Sequence, residues 1–252
     1  MRDPPAPRRR EPAAPRAVAA RSAGRREAYA VVRAVIFDVD GTLVDTNDLH
    51  TASWAEAFRR FGHDVPQDRI RHEMGKGGDQ LMPVFLPPEA LERQGKDIET
   101  FRGDLFKREY LPRARAFPEV RALFQRARAA GQRTVLASSS KADEVERYKE
   151  IAGIADLVDD TTSKDDAEHS KPFPDIFRAA LERIAPIPAQ DAAVVGDSPY
   201  DAEAAAKAGL RAVGLLCGGF PEEELRRSGF VALYRDPADL LANYDRSPLA
   251  PG

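Results

Sequence analysis

The stretch Val35-Ile36-Phe37-Asp38-Val39-Asp40-Gly41-Thr42-Leu43 decides how the rest of the chain is read. An apolar run from Val31 to Phe37 leads directly into two aspartates one residue apart, then Gly and Thr. In a strand, neighbouring side chains point to opposite faces and residues i and i+2 to the same one. Asp38 and Asp40 are therefore expected to project the same way from a strand end, with Gly41 allowing a sharp turn. Two carboxylates held together suit a hard divalent cation, a nucleophile beside an acid/base group, or both. The structural alternative is a strand that merely ends in a polar turn.

Around this stretch the chain alternates strands and helices. The patterns predict a strand over Val31–Phe37, a helix from Asn47 to Phe61, and helices at Gln67–Met74, Gln80–Phe85 and about Glu89 to Tyr110. Breaks fall at Gly75-Lys76-Gly77-Gly78 and Pro87-Pro88. Alternation then resumes with a helix at Val120–Ala130, a strand at Arg133–Ala137, a helix at Lys141–Ile151 and a short strand at Asp156–Val158. Helices at Asp175–Ile184 and Ala202–Ala208 flank a buried strand at Ala192–Val195. Strands at Ala212–Leu216 and Val231–Tyr234 and a helix at Pro237–Ala242 close the series. The fold class this predicts is α/β, a Rossmann-like, doubly wound, mostly parallel sheet with helices on both faces. Residues 31–47 and 113–252 form its core, and 48–112 an inserted helical subdomain.

The chain has 252 residues, 42% apolar and 31% charged, enough for one large domain or a domain with an insertion. No apolar run approaches the roughly 20 residues that cross a bilayer. Cys217 is the only cysteine, which excludes an internal disulfide and a Cys-based zinc site. Leu215-Leu216-Cys217 reads as the buried end of a strand. Residues 1–33 carry nine arginines and three acids, leaving −9 on the remainder of a chain whose net charge is −3. The Arg/Pro/Ala-rich tail over 1–30 reads as a disordered extension. It lacks the continuous apolar core of a secretory signal, which predicts a cytoplasmic protein. The acidic body argues against nucleic acid as the main partner.

Three strand ends carry polar groups: Asp38 and Asp40, Ser138, and Asp197. A doubly wound sheet gathers strand ends into one crevice. Oxygen ligands without His or Cys point to Mg²⁺, which pairs with phosphate substrates. Ser138, with the backbone N–H groups after it, suits phosphate oxygens; Lys141 caps the next helix turn or, the preferred reading, is a solvated side chain. Lys171 is clamped by Pro172 and Pro174 just before a helix, a placement suited to charge neutralisation. Asp201 caps the following helix, orients Lys171, or does both.

Four segments occur in the order of the motifs of the haloacid dehalogenase superfamily: Asp38-Val39-Asp40-Gly41-Thr42-Leu43, Ser138 after an apolar strand, Lys171-Pro172, and Gly196-Asp197-Ser198 with Asp201. The chain resembles that family from about residue 33 to 242. The insertion resembles the helical cap of the branch containing phosphoglycolate phosphatase and β-phosphoglucomutase. The resemblance implies an aspartyl-phosphate on Asp38 and a proton donor and acceptor at Asp40. It implies Mg²⁺ on the Asp38 carboxylate, the Asp40 backbone carbonyl and the Asp197 carboxylate. Ser138, Ser139 and Lys171 would bind the phosphoryl oxygens, with Ser198 and Asp201 in support. The cap would set the substrate, a small phosphorylated metabolite, with His50 and Lys76 as candidate contacts, Arg71 polar, and Trp54 a core residue of the cap.

A sugar-phosphate mutase of the β-phosphoglucomutase kind is the alternative. Mutases of that kind carry Arg where this chain has Gly77-Gly78-Asp79, tend to carry Glu-Asp where it has Gly196-Asp197, and lack an acid matching Asp201. A fold kept only for binding is the third reading; the presence of every motif acid, the Ser and the Lys argues against it.

Overall fold

The computed structural model describes residues 31–250; the tail expected over 1–30 lies outside the described residues. In chain order the elements are β1 (Ala34–Phe37), β2 (Val44–Asp45), α1 (Asn47–Arg60), α2 (Gln67–Arg71), α3 (Gly78–Phe85), α4 (Pro88–Leu105), β3 (Arg115–Ala116), α5 (Val120–Ala129), β4 (Arg133–Ala137), α6 (Ala142–Ala152), β5 (Asp160–Thr162), α7 (Asp175–Arg183), β6 (Ala192–Gly196), α8 (Pro199–Lys207), β7 (Arg211–Leu215), α9 (Glu222–Ser228), β8 (Ala232–Tyr234) and α10 (Pro237–Ala242).

Six strands form one sheet in the order β5-β4-β1-β6-β7-β8, every pair parallel. β1 lies in the middle, with Phe37 beside Leu136 of β4 and Val195 of β6. The chain first builds outward from β1 on one side, then returns and builds outward on the other. The crevice where that order reverses is where such sheets bind ligands. It also brings Asp38, Ser138 and Asp197, each one or two residues past its strand register, to one edge.

Both faces of the sheet are covered, and strand alternation divides the apolar residues between them. Val35 and Phe37 join one core cluster with Phe124 and Tyr148; Ala34 and Ile36 join the other with Val194 and Phe177. Burial on both sides explains why β1, β4 and β6 read as continuous apolar runs. The helical segment builds a third cluster of its own from Trp54, Phe58, Ile70, Leu81 and Ile98, among others. It leaves and rejoins the sheet through the two-residue antiparallel ribbon β2–β3. Among the described residues, no helix is long and apolar enough to cross a membrane.

Several boundaries differ from those read in the sequence. β1 begins at Ala34, because Val31 is exposed. The strand expected at Asp156–Val158 is a turn: the N–H groups of Leu157 and Val158 fold back onto the Ile154 carbonyl. Their apolar side chains pack against the core and so imitate a strand. The strand itself is the polar Asp160–Thr162, at the sheet edge, where one side of the ladder faces no partner. α2 stops at Arg71, and the long helix ends at Leu105 before a π turn, Phe106–Tyr110. α8 starts at Pro199, three residues early, because Ser198 and Asp201 form a reciprocal capping box. α9 was not anticipated, although three glutamates open it, two arginines close it and Gly229 follows. Cys217 lies in a one-turn 3-10 segment past β7, half-buried, rather than at a strand end.

Candidate active site

Asp38 leaves the end of β1 with its N–H donating to Val195 O at 2.9 Å. The chain then turns at Gly41, whose φ is +78°. A Cβ there would stand 2.1 Å from Asn47 Nδ2 and 2.4 Å from Asp197 Oδ2, so only glycine fits. Thr42 Oγ1 lies 2.9 Å from both Asp38 Oδ2 and Asp197 Oδ1, and its single proton serves one of them. Asn47, at the start of α1, donates to Asp197 Oδ2 at 2.8 Å.

Lys171 is 1% exposed. Its Nζ pairs with Asp38 and, at 2.7 Å, with Asp201. Asp201 pairs with Lys171, and in α8 it completes a capping box whose N-cap is Ser198. Its Oδ2 accepts from Ser198 N–H at 3.0 Å and Ser198 Oγ at 2.6 Å, while Oδ1 accepts from Lys171. Burial works against the Lys171 ammonium, but Asp201 and Asp38 outweigh it and hold its pKa above the ordinary lysine value.

The two aspartates of the opening stretch line one cavity, as expected, but their carboxylates take different partners. Carboxylate oxygens of Asp38, Asp197 and Asp201 gather within 4.8 Å of one another, and that of Asp40 is not among them. Asp40 Oδ1 instead accepts from Thr46 Oγ1 and His50 Nε2, both at 2.7 Å. Its Oδ2 accepts from Ser140 Oγ at 2.9 Å and Ser138 Oγ at 3.3 Å. Burial raises the Asp40 carboxyl, but His50, Thr46 and Ser140 outweigh it and hold the group well below the usual range.

The carboxylate trio and Lys171 sum to −2 when ionised, in a buried site. Burial, reinforced by Asp201 and Asp197 against the opposing Lys171, pushes Asp38 up; burial and Asp201 push Asp197 up to about 7. An all-oxygen donor set with a deficit of two positive charges fits a hard divalent cation.

His50 is buried and stacked on Phe106, ring centroids 4.1 Å apart. Arg102 of α4 donates to its Nδ1, which leaves the ring proton on Nε2, facing Asp40. The Tyr148 hydroxyl stands 3.2 Å from the same Nε2. A cavity of about 80 Å³ opens above these groups. Asp38, Asp40, Ser139 and Lys171 line it from the sheet; Trp54, Lys76, Gly77 and Arg102 line it from the helical segment. Ser139 Oγ is buried with no hydrogen-bond partner. Trp54 is both cavity wall and core of the helical segment. Lys76 pairs with Glu73 and lies 4.5 Å over the Tyr200 ring; Arg71 reaches Asp48 and the Gly218 carbonyl. Lys141 is exposed at the rim and supplies no side-chain cap to α6. Cys217 Sγ sits 3.4 Å from Gly41 O, and burial pushes its thiol well up, away from nucleophilic use.

Sequence reading missed Thr42, Thr46 and Asn47, although all three lie in or just after the D-x-D-G turn and carry the right polar groups. It also missed Arg102, Tyr148 and the Lys164–Glu99 ion pair, for which the sequence holds no local signal.

The family model of haloacid dehalogenase-like hydrolases matches residues 32–209. A phosphorylated carbohydrates phosphatase from Thermotoga maritima is 29% identical over 219 residues, 83% of this chain and 97% of that protein. The pyrophosphatase PpaX of Bacillus velezensis is 28% identical over 198 residues, 73% of this chain and 83% of that protein. A crystal structure of a hydrolase from Pseudomonas syringae shares the fold with a TM-score of 0.76 at 28% identity, over 84% of this chain and 98% of that one. With a family model spanning most of its length and the motif residues gathered at one sheet edge, the chain belongs to the haloacid dehalogenase-like hydrolase family.

Proposed function

We propose that this protein is a Mg²⁺-dependent phosphatase that hydrolyses a small phosphate monoester through an aspartyl-phosphate on Asp38. The observation that carries the reading is Lys171, buried between Asp38 and Asp201 at a cavity that Asp38, Asp40 and Ser139 also line. A phosphoryl group and a carboxylate nucleophile are both anions, so their approach requires fixed positive charge, and Lys171 supplies it. The Asp38 and Asp197 carboxylates and the Asp40 backbone carbonyl would hold the cation. When bound, it supplies the remaining charge neutralisation at the transferring phosphoryl group.

Two displacements follow. An Asp38 oxygen bonds to phosphorus as the ester oxygen departs with a proton from Asp40. Water then attacks phosphorus, Asp40 takes its proton, and Asp38 is released. Asp40 is held ionised in the resting site, the form that accepts a proton from water. Arrival of an anionic phosphate raises its pKa by like-charge repulsion and so favours the donor form in the first step. Ser138 and Ser140 hold one Asp40 oxygen and His50 the other, so its orientation is set from both sides. The helical segment serves as a cap that excludes water from the intermediate, with His50 and Lys76 at its inner wall.

The test is phosphate release from a panel of small phosphate esters, with and without Mg²⁺ and with EDTA. Metal-dependent release supports the reading and ranks substrates. Conversion of β-glucose 1-phosphate to glucose 6-phosphate without release would establish the mutase instead.

A further inference from the structure

We propose that Asp79 and Ser170 form a clasp between the helical segment and the sheet domain that sets Lys171 in place, which makes Asp79 a positioning residue for the reaction. The significance for catalysis rests on the phosphatase reading; the clasp itself rests on geometry alone.

Ser170 immediately precedes Lys171 in a loop between β5 and α7, and it is 6% exposed. Three of its polar functions bond to the helical segment. Its N–H donates to Asp79 Oδ2 at 3.1 Å, its hydroxyl donates to Asp79 Oδ1 at 2.6 Å, and its Oγ accepts from Gly77 N–H at 2.9 Å. One carboxylate thus grips both the backbone and the side chain of the residue before the lysine. Burial raises the Asp79 carboxyl, but the bonds from Ser170 and Gln80 outweigh it and hold the group below its ordinary value. The clasp therefore closes with an ionised acceptor, the stronger kind.

The fit is close. A Cβ on Gly77 would stand 2.6 Å from Ser170 Oγ and 2.7 Å from its Cβ, so a side chain there would wedge the clasp apart. Other contacts between segment and sheet domain land elsewhere: Glu99 on Lys164, the His72 carbonyl on Tyr200, Arg71 on the Gly218 carbonyl. Among the described residues of the helical segment, Asp79 and Gly77 are the ones that hydrogen-bond the residue one peptide bond from Lys171. When the segment lifts, Ser170 loses all three bonds together, and the loop holding Lys171 keeps only its sheet-domain contacts, among them Lys207 on the Pro172 carbonyl. With the segment lifted, the ammonium is held by Asp38 and Asp201 alone, and its backbone is fixed only while the segment covers the site. Charge neutralisation and exclusion of water are tied to one event.

The test uses the full chain and the variants Asp79→Ala, Asp79→Asn, Ser170→Ala and Glu99→Gln. Each is assayed for acetylation of Lys171 by an amine-reactive ester, read by peptide mass spectrometry, with thermal melts to confirm folding. Steady-state kinetics use the ester that the wild type hydrolyses best. Asp79→Ala and Ser170→Ala are expected to label Lys171 about tenfold faster or more, the effect of losing a charge-assisted hydrogen bond. They lower kcat by a similar factor with a smaller change in KM. Asp79→Asn, which keeps shape and one acceptor, falls between. Glu99→Gln breaks a contact that does not reach Lys171 and leaves its labelling at the wild-type rate. Wild-type labelling and kcat in folded Asp79→Ala would overturn the proposal, as would equal exposure of Lys171 in Glu99→Gln. Failure of the wild type to hydrolyse any ester counts against the phosphatase reading alone; the labelling comparison decides the clasp in either case.

Discussion

Replacing Lys171 with Met removes one buried positive charge from among three buried carboxylates while keeping a side chain of similar length. The Asp201 contact is 2.7 Å long and wholly buried. At that spacing and an effective dielectric near 20, the attraction is about 6 kcal/mol before desolvation of the two ions is set against it. Removing one partner of a buried pair leaves the other uncompensated, which costs about 3–5 kcal/mol. In a domain of this size that corresponds to a fall in Tm of roughly 6–20 °C. Phosphate release should fall by about a hundredfold to a thousandfold, the usual effect of removing one preorganised charge-stabilising group. The variant also carries a deficit of three charges in place of two, so Mg²⁺ should raise its Tm by more than it raises that of the wild type. The assays are thermal melts with EDTA or Mg²⁺ and phosphate release under saturating ester. A Lys171→Met protein that melts within about 2 °C of the wild type, less than the smallest shift worked above, and retains its turnover would refute the reasoning.

Three further outcomes are expected. His50→Ala should lower kcat about tenfold to a hundredfold and move the acidic limb of its pH profile upward, because Asp40 loses the His50 hydrogen bond that helps hold its pKa down; an unmoved profile would show that His50 does not orient Asp40. Asp197 has a folded-state pKa of about 7 against an ordinary 3.8, so the folded protein binds more protons than the unfolded chain between those values. The metal-free protein should therefore lose stability as pH rises from about 5 to about 7, above the range around 3.8 in which the carboxyls held low, Asp40 first, ionise in the unfolded chain. Mg²⁺ should flatten the slope, and melts in EDTA that stay level across the window would contradict it. Ser198→Ala removes the N-cap of α8 and should cost about 0.5–2 kcal/mol, read as a lower midpoint in urea unfolding.

The parts of the fold legible in the sequence were those in which burial acts on both faces. β1, β4 and β6 are short apolar runs because neither side of them meets water. β5 was misplaced because an edge strand of Asp-Thr-Thr carries little apolar signal while the neighbouring Leu157-Val158 carries more. β2 and β3 are two residues each, too short for any period to show. The site was legible where chemistry coincides with a strand end or a proline clamp, as at Asp38, Ser138, Asp197 and Lys171. The separate partners of the Asp40 carboxylate were not, since they come from Thr46 and His50 beyond the turn and from Ser138 and Ser140 on another strand end. Arg102 reaches His50 across 52 positions of sequence because α4 packs on α1, and Asp79 reaches Ser170 across 91 because the helical segment docks on the sheet edge.

The most direct test of the central claim is acid-quench mass spectrometry of the protein mixed with a turned-over phosphate ester and Mg²⁺. A hydroxylamine-sensitive phosphoryl group on the peptide containing Asp38, absent from Asp38→Asn, is the predicted result. Rapid phosphate release with no adduct on Asp38, or turnover retained by Asp38→Asn, would contradict the account.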